Sequence, residues 1–117
     1  MEKSFEEILI KMKKYAMNAV LYCEEYDYNQ FISDRKTIDA CVFNISQLGE
    51  LASLVDTFYR LKYQIIDWLA IKSVRNRIVH DYEGVKMDII WDIIIYSLPK
   101  LIAEIENILI NIQKTTP

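Results

Sequence analysis

The chain has 117 residues, of which 52% are hydrophobic and 26% charged, and its formal net charge is −3. A domain of this length buries its own core, and this apolar content excludes a disordered chain. Two glycines and two prolines are too few for an all-β fold or a glycine-rich phosphate loop, and the acidic balance excludes a general nucleic-acid binder, so any RNA contact has to be local.

A first helix is expected from about Glu2 to Tyr26. There Phe5, Ile8, Leu9, Met12, Tyr15, Ala16, Ala19, Tyr22 and Cys23 recur at three- and four-residue steps and share one face. Lys3, Lys11, Lys13 and Lys14 fall mostly on the solvated side. Asp27 to Ile32 breaks the period and reads as a loop. Ser33 or Asp34 is the candidate N-cap of a second helix reaching about Val55, with the stripe Ile38, Cys41, Val42, Ile45, Leu48, Ala52 and Val55. The aromatic stretch Asp56 to Ile66 reads as a connection with room for a short helix.

Asp67 is placed to cap a third helix, through Trp68, Leu69, Ile71, Val74 and Ile78 to about Val79. Arg75 and Arg77 lie in its last turn, where cations are favourable, and Gly84 marks a following turn. A fourth helix begins near Lys86 to Asp88 and carries Ile90, Trp91, Ile94, Leu98, Leu101, Ile102, Ile105, Leu109 and Ile112. Pro99 inside that pattern predicts a kink or a break. Amphipathic helices on short connections give an all-α, single-domain bundle of four to five helices over residues 1–113, with 114–117 as a frayed tail.

Cys23 and Cys41 fall within apolar stripes and read as buried small hydrophobes rather than a disulfide framework, which points to a reducing, cytoplasmic compartment. The charged, amphipathic N-terminus does not read as a signal peptide. No apolar run reaches the roughly 18 to 20 residues that span a membrane. Met87 to Ile112 is interrupted by Asp88, Asp92, Lys100, Glu104 and Glu106.

Chemistry concentrates in Val74-Arg75-Asn76-Arg77-Ile78-Val79-His80-Asp81-Tyr82, which holds the chain's one histidine. Arg75 and His80 are five positions apart, about 140° of rotation on a helix. They diverge on an ideal helix and converge if the helix ends near Val79 and the chain turns there. The residue types suit metal-independent RNA cleavage. A histidine titrates near neutrality and can move a proton. An arginine holds a phosphate with two parallel donors. Asn76 is a candidate for orienting the phosphate or the imidazole. A 2′-hydroxyl nucleophile would restrict the substrate to RNA, and a symmetric dimer would supply the second histidine of an acid–base pair. One histidine among scattered carboxylates lacks metal-ligand spacing.

The same residues also have plain readings: an arginine–histidine surface pair, a half-buried Tyr82, a solvated Asp81. Lys72, Arg77 and Lys86 are either a local basic patch or ordinary surface, while Asp81 and Glu83 place negative charge beside the motif.

Arg75 to Tyr82 resembles the R-x4-H-x-Y form of the HEPN motif, and the flanks resemble its HepT-like branch. Trp68 lies upstream, Trp91 and Leu98-Pro99-Lys100-Leu101 follow, and Leu48-Gly49-Glu50-Leu51-Ala52 is similar to the I-G-E-A region of helix two. The resemblance spans roughly Phe31 to Glu106. It implies a homodimer whose motifs face each other across a cleft, acting as a metal-independent endoribonuclease toxin of a bacterial toxin–antitoxin pair. Arg75 and His80 would be catalytic, with Asn76 in support and no cofactor. It also implies an MntA-like nucleotidyltransferase antitoxin that uses ATP to place AMP on Tyr82. The added charge and bulk would keep RNA out. Glu50 matches a family position, its role open between site residue and helix-packing carboxylate. The fold also suits a non-catalytic nucleotide-binding or adaptor module, a reading left open by the acidic charge and the lone histidine.

Overall fold

The computed structural model describes residues 4–115, and all regular structure among them is helical. Helix α1 (Phe5–Tyr22) starts where the Ser4 hydroxyl accepts the Glu7 N–H at 3.1 Å. The expected start at Glu2 lies outside the described residues. The helix ends at Tyr22 rather than Tyr26, because Cys23 to Glu25 form a turn that frees the Tyr26 hydroxyl to bond Asp34 at 2.5 Å. Tyr22 was expected on the inner face and is 46% exposed.

The expected loop at Asp27 to Ile32 is instead a short helix, α2 (Tyr28–Ile32). Asp27 and Gln30 cap each other's backbone N–H at 2.8 Å, a reciprocal box that satisfies two otherwise orphan donors. Phe31 is wholly buried, its ring 5.1 Å from that of Trp91. One helical turn is too short to show a period, so capping and burial decide its form.

Helix α3 (Arg35–Ser53) is capped by Asp34, one of the two expected residues, and stops two positions short of Val55. All seven predicted stripe residues from Ile38 to Val55 are buried. The Asp34 carboxylate accepts from Tyr26 Oη at 2.5 Å, Thr37 Oγ1 at 2.7 Å and Thr37 N at 3.1 Å. The Tyr26 bond first, then those of Thr37, hold its carboxyl at about 2 against an ordinary 3.8. A carboxyl held low when folded stabilises the fold above its ordinary value and loses that contribution as pH falls to the folded one. Wild type is therefore expected to melt above Asp34→Asn at neutral pH. The gap should close between about pH 4 and pH 2 in thermal melts.

Helix α4 (Thr57–Lys62) fills the aromatic connection. Helix α5 (Trp68–Asp81) is capped by Asp67, as expected, but continues past Val79 to Asp81, followed by a tight 3-10 turn at Tyr82–Gly84. Helix α6 (Met87–Asp92) runs through a π turn (Ile93–Ser97) into α7 (Leu98–Thr115). Pro99 does not break the helix, since Ile93 and Leu98 both keep right-handed helical dihedrals. A proline lacks the N–H that would bond the carbonyl four residues back, and its ring crowds that carbonyl. The π turn directly ahead of Pro99 shifts the bonding pattern and relieves both problems. Lys114, expected to fray, lies within α7, and Thr116 and Pro117 are outside the described residues.

Helix α1 lies between α3 and α7, and α5 packs on the other side of α3. Leu9, Met12 and Ala16 meet Cys41, Ile94 and Ile105 in a core with no measurable exposure. Cys23 and Cys41 are both buried, their Sγ atoms 3.5 Å apart. The contact with Cys23, then burial, push the Cys41 thiol well above its ordinary range, so it stays protonated. Among the described residues no helix is long and apolar enough to cross a membrane.

Candidate active site

The predicted site residues lie on α5 and the turn after it. Ile78 is the buried residue of this helix, with Ile71 and Val74 half-buried beside it. At 100° per residue the opposite, outward stripe carries Leu69, Ser73, Asn76 and His80. His80 is exposed in the last turn, and no hydrogen bond or ion pair engages it among the described residues. Asn76 sits one turn before it on the same stripe.

Arg75 occupies a different edge. Its Nε donates to Glu50 Oε1 of α3 at 2.7 Å, Nη2 donates to the same oxygen, and Nη1 donates to Asn76 Oδ1 at 2.9 Å. The guanidinium is thus clamped by Glu50 on one side and led round by Asn76 toward the face that carries His80. Each terminal nitrogen keeps one N–H beyond these bonds, and the side chain is 29% exposed. Glu50 is therefore the ion-pair partner of Arg75, which settles its position between α3 and α5.

Gly49 explains how the two helices come so close. A Cβ built there would overlap Cβ and Cγ of Arg75, so α5 can lay Arg75 over α3 only where α3 has no side chain. Gly84 works similarly in the turn. Its N–H bonds Asp81 Oδ1 at 3.1 Å, and a Cβ would run into that carboxylate. No described residue has a positive φ, so both glycines serve close approach. Asp81, read from sequence as a solvated neighbour, closes the turn that follows His80.

Tyr82 lies beyond Asp81, whose φ of −158° and ψ of 63° leave the helical range, and its side chain, like that of Arg75, meets α3. Its hydroxyl donates to Asp39 Oδ1 at 2.5 Å and accepts from Arg35 Nη1 at 3.5 Å. Burial, then the bond and charge of Asp39, push the Tyr82 hydroxyl up to about 12, with Arg35 opposing. Glu50 and Asp39 are eleven residues apart on α3, about 16 Å along its axis. Within one chain Arg75 and Asn76 come together, Asn76 and His80 share a face, and the Tyr82 hydroxyl is held elsewhere. Because α5 continues to Asp81, the turn expected at Val79 to converge Arg75 and His80 is absent, and their side chains leave the helix about 140° apart.

The sequence reading missed Arg35 and Asp39. The available signal was spacing: Arg35, Asp39 and Glu50 share one face of a 3.6-residue helix. A cavity of about 220 Å³ is lined by apolar residues such as Leu48, Val74 and Leu101 together with Asp67, Lys100 and Glu104, and not by Arg75, Asn76, His80 or Tyr82. Among the described residues no group of three or more His, Cys, Asp or Glu side chains is placed to hold a metal.

Residues 6–108 match the family model described as Ribonuclease HepT-like. The chain belongs to the HepT-like ribonuclease family. Its relatives include "Putative RNase MJ0127" of Methanocaldococcus jannaschii, 29% identical over 79% of this chain and 76% of the relative. Another is "Probable ribonuclease HepT" of Thermococcus cleftensis, 22% identical over 74% of this chain and 79% of the relative. No solved structure matches at comparable significance. The HepT-like match covers α1 to α6 and most of α7, so the Arg75–Glu50 clamp and the Tyr82 turn both lie inside it.

Proposed function

We propose that this chain is an endoribonuclease toxin that cuts RNA without a metal, with Arg75 and His80 as its catalytic pair. The observation that carries the reading is the Arg75–Asn76 hand-over inside a HepT-like ribonuclease fold. Glu50 and Asn76 fix a guanidinium that keeps outward N–H groups, and an unengaged His80 stands one turn from Asn76. His80 would take the proton of the 2′-hydroxyl or return one to the leaving oxygen. Arg75 would neutralise charge developing on the phosphate, and Asn76 would support it.

Since Arg75 and His80 diverge on α5, the reading requires a homodimer in which one copy's motif faces the other's. The solvent side of α5 and the adjoining edge of α3 are suited to such pairing: Leu69, Val79 and Phe43 are 74%, 51% and 58% exposed. Regulation by an MntA-like nucleotidyltransferase antitoxin, which uses ATP to place AMP on Tyr82, belongs to the same proposal. So does residence in the reducing cytoplasm, where Cys23 and Cys41 would remain thiols.

Purified chain incubated with total cellular RNA in EDTA is expected to cleave it, and to sediment as a dimer. Intact RNA under those conditions, or cleavage that appears only on adding a divalent metal, refutes the assignment. A second reading draws on the Arg75–Glu50 pair, which also suits a structural tie in a non-catalytic nucleotide-binding or adaptor module. Calorimetric AMP binding with no cleavage would favour it.

A further inference from the structure

We propose that Arg35 and Asp39 of α3 prime Tyr82 as a nucleophile for nucleotidyl transfer, Asp39 taking the phenolic proton and Arg35 receiving the incoming phosphate. The inference rests on reading Tyr82 as the AMP acceptor and names the residues of this chain that would make it one.

Among the described residues two tyrosines donate to a carboxylate at 2.5 Å, and they differ in what surrounds that carboxylate. Asp34, the partner of Tyr26, is saturated by Thr37 as the cap of α3. Asp39, the partner of Tyr82, caps nothing. Its Oδ1 receives the Tyr82 hydroxyl, and Arg35 Nη1 stands 3.6 Å from the same oxygen and 3.5 Å from the Tyr82 hydroxyl. The Arg35 and Asp39 side chains are 70% and 54% exposed, so an incoming nucleotide can reach them, whereas the Asp34 pair is part-buried.

The phenol has to be deprotonated as it reacts, because a hydroxyl held at about 12 is protonated at neutral pH. The charged groups facing it across the interface are Asp39 and Arg35. In its own turn Asp81 is engaged by the Gly84 N–H, and Glu83 is exposed. Asp39 is the carboxylate in bonding contact. As Tyr82 Oη attacks the α-phosphorus of ATP, an O–P bond forms and the bond to the β-phosphate oxygen breaks. Pyrophosphate leaves with that electron pair, and the phenolic proton passes to Asp39. The product ester has no proton to give Asp39 and carries a negative charge, so its favourable partner becomes Arg35. Modification would thus exchange a tyrosine–aspartate bond for a phosphate–arginine pair.

The test follows modification of the Tyr82 peptide by mass spectrometry in two arms. In the first, wild type, Asp39→Asn and Arg35→Gln are incubated with ATP and a purified MntA-like nucleotidyltransferase. Asp39→Asn is expected to slow AMP transfer by roughly 10²-fold or more at pH 7. Its rate should then climb about tenfold per pH unit as hydroxide supplies the phenolate, a climb wild type lacks. In the second, an aryl sulfonyl fluoride is applied with neither enzyme nor ATP. Tyr82 is expected to label faster than Tyr96, which is 71% exposed, and Asp39→Asn should remove that preference.

An Asp39→Asn rate lowered by one factor at every pH, or AMP transfer at the wild-type rate, overturns the proposal, as does sulfonylation without preference for Tyr82. If wild type takes up no AMP while Tyr82 sulfonylation stays dependent on Asp39, the AMP reading fails and the primed hydroxyl stands.

Discussion

Replacing His80 with alanine is expected to lower RNA cleavage by roughly 10²- to 10⁴-fold, the range of a lost acid–base group, without moving the thermal midpoint. Both halves come from where the residue sits. The imidazole is exposed at the end of α5 and engages no described side chain, so the fold loses no partner when it is removed. A variant that keeps its stability and loses cleavage would place His80 in the chemistry. Equal cleavage by the variant and wild type would show that His80 does not act in the reaction. Arg75→Lys complements it by keeping the positive charge while removing the planar fork that meets Glu50, Asn76 and a phosphate together. Its cleavage should fall although its charge does not change.

The second large effect is expected at Gly49. Alanine there would drive a methyl group into Cβ and Cγ of Arg75. These atoms stand at the root of a side chain whose far end is fixed by Glu50 and Asn76, so they cannot simply swing aside. The helices must part or the arginine must move. Overpacking of this kind costs about 1–3 kcal/mol, and displacing a positioned group by about 1 Å can cost roughly 10²-fold in rate. Gly49→Ala is therefore expected to lower both the melting temperature and the cleavage rate, unlike His80→Ala, which lowers only the rate. A variant as stable and as active as wild type would show that the α3–α5 contact is looser than its geometry indicates.

The apolar stripes of the long helices were legible because they repeat over many turns. Ile38 to Val55 is the clearest case: every expected residue is buried. What escaped was short or distant. Tyr28–Ile32 offers a single turn, and its helical form comes from the Asp27–Gln30 box and from Phe31 seated against Trp91, a contact sixty residues away in the chain. Tyr82 stood out by its place after His80, but its partner Asp39 is 43 residues distant. Glu50 has a recognisable place in the sequence but not a legible role, since pairing with Arg75 depends on how α3 and α5 are docked. The extension of α5 to Asp81 has a similar origin, since Asp81 itself bonds Gly84 and moves the turn past His80.

The π turn at Ile93–Ser97 has a geometric result beyond sparing Pro99. An extra residue in one turn rotates everything after it by about 100° relative to an unbroken helix. Trp91, ahead of the turn, meets Tyr28 and Phe31 of α2, while α7 after it packs against α1, and Ile90, Leu101 and Ile105 are all buried. A single rod so serves as two walls, closing the bundle at α2 and again at α1. Shortening that rod by one residue at this point would keep it helical while swinging one of the walls out of alignment.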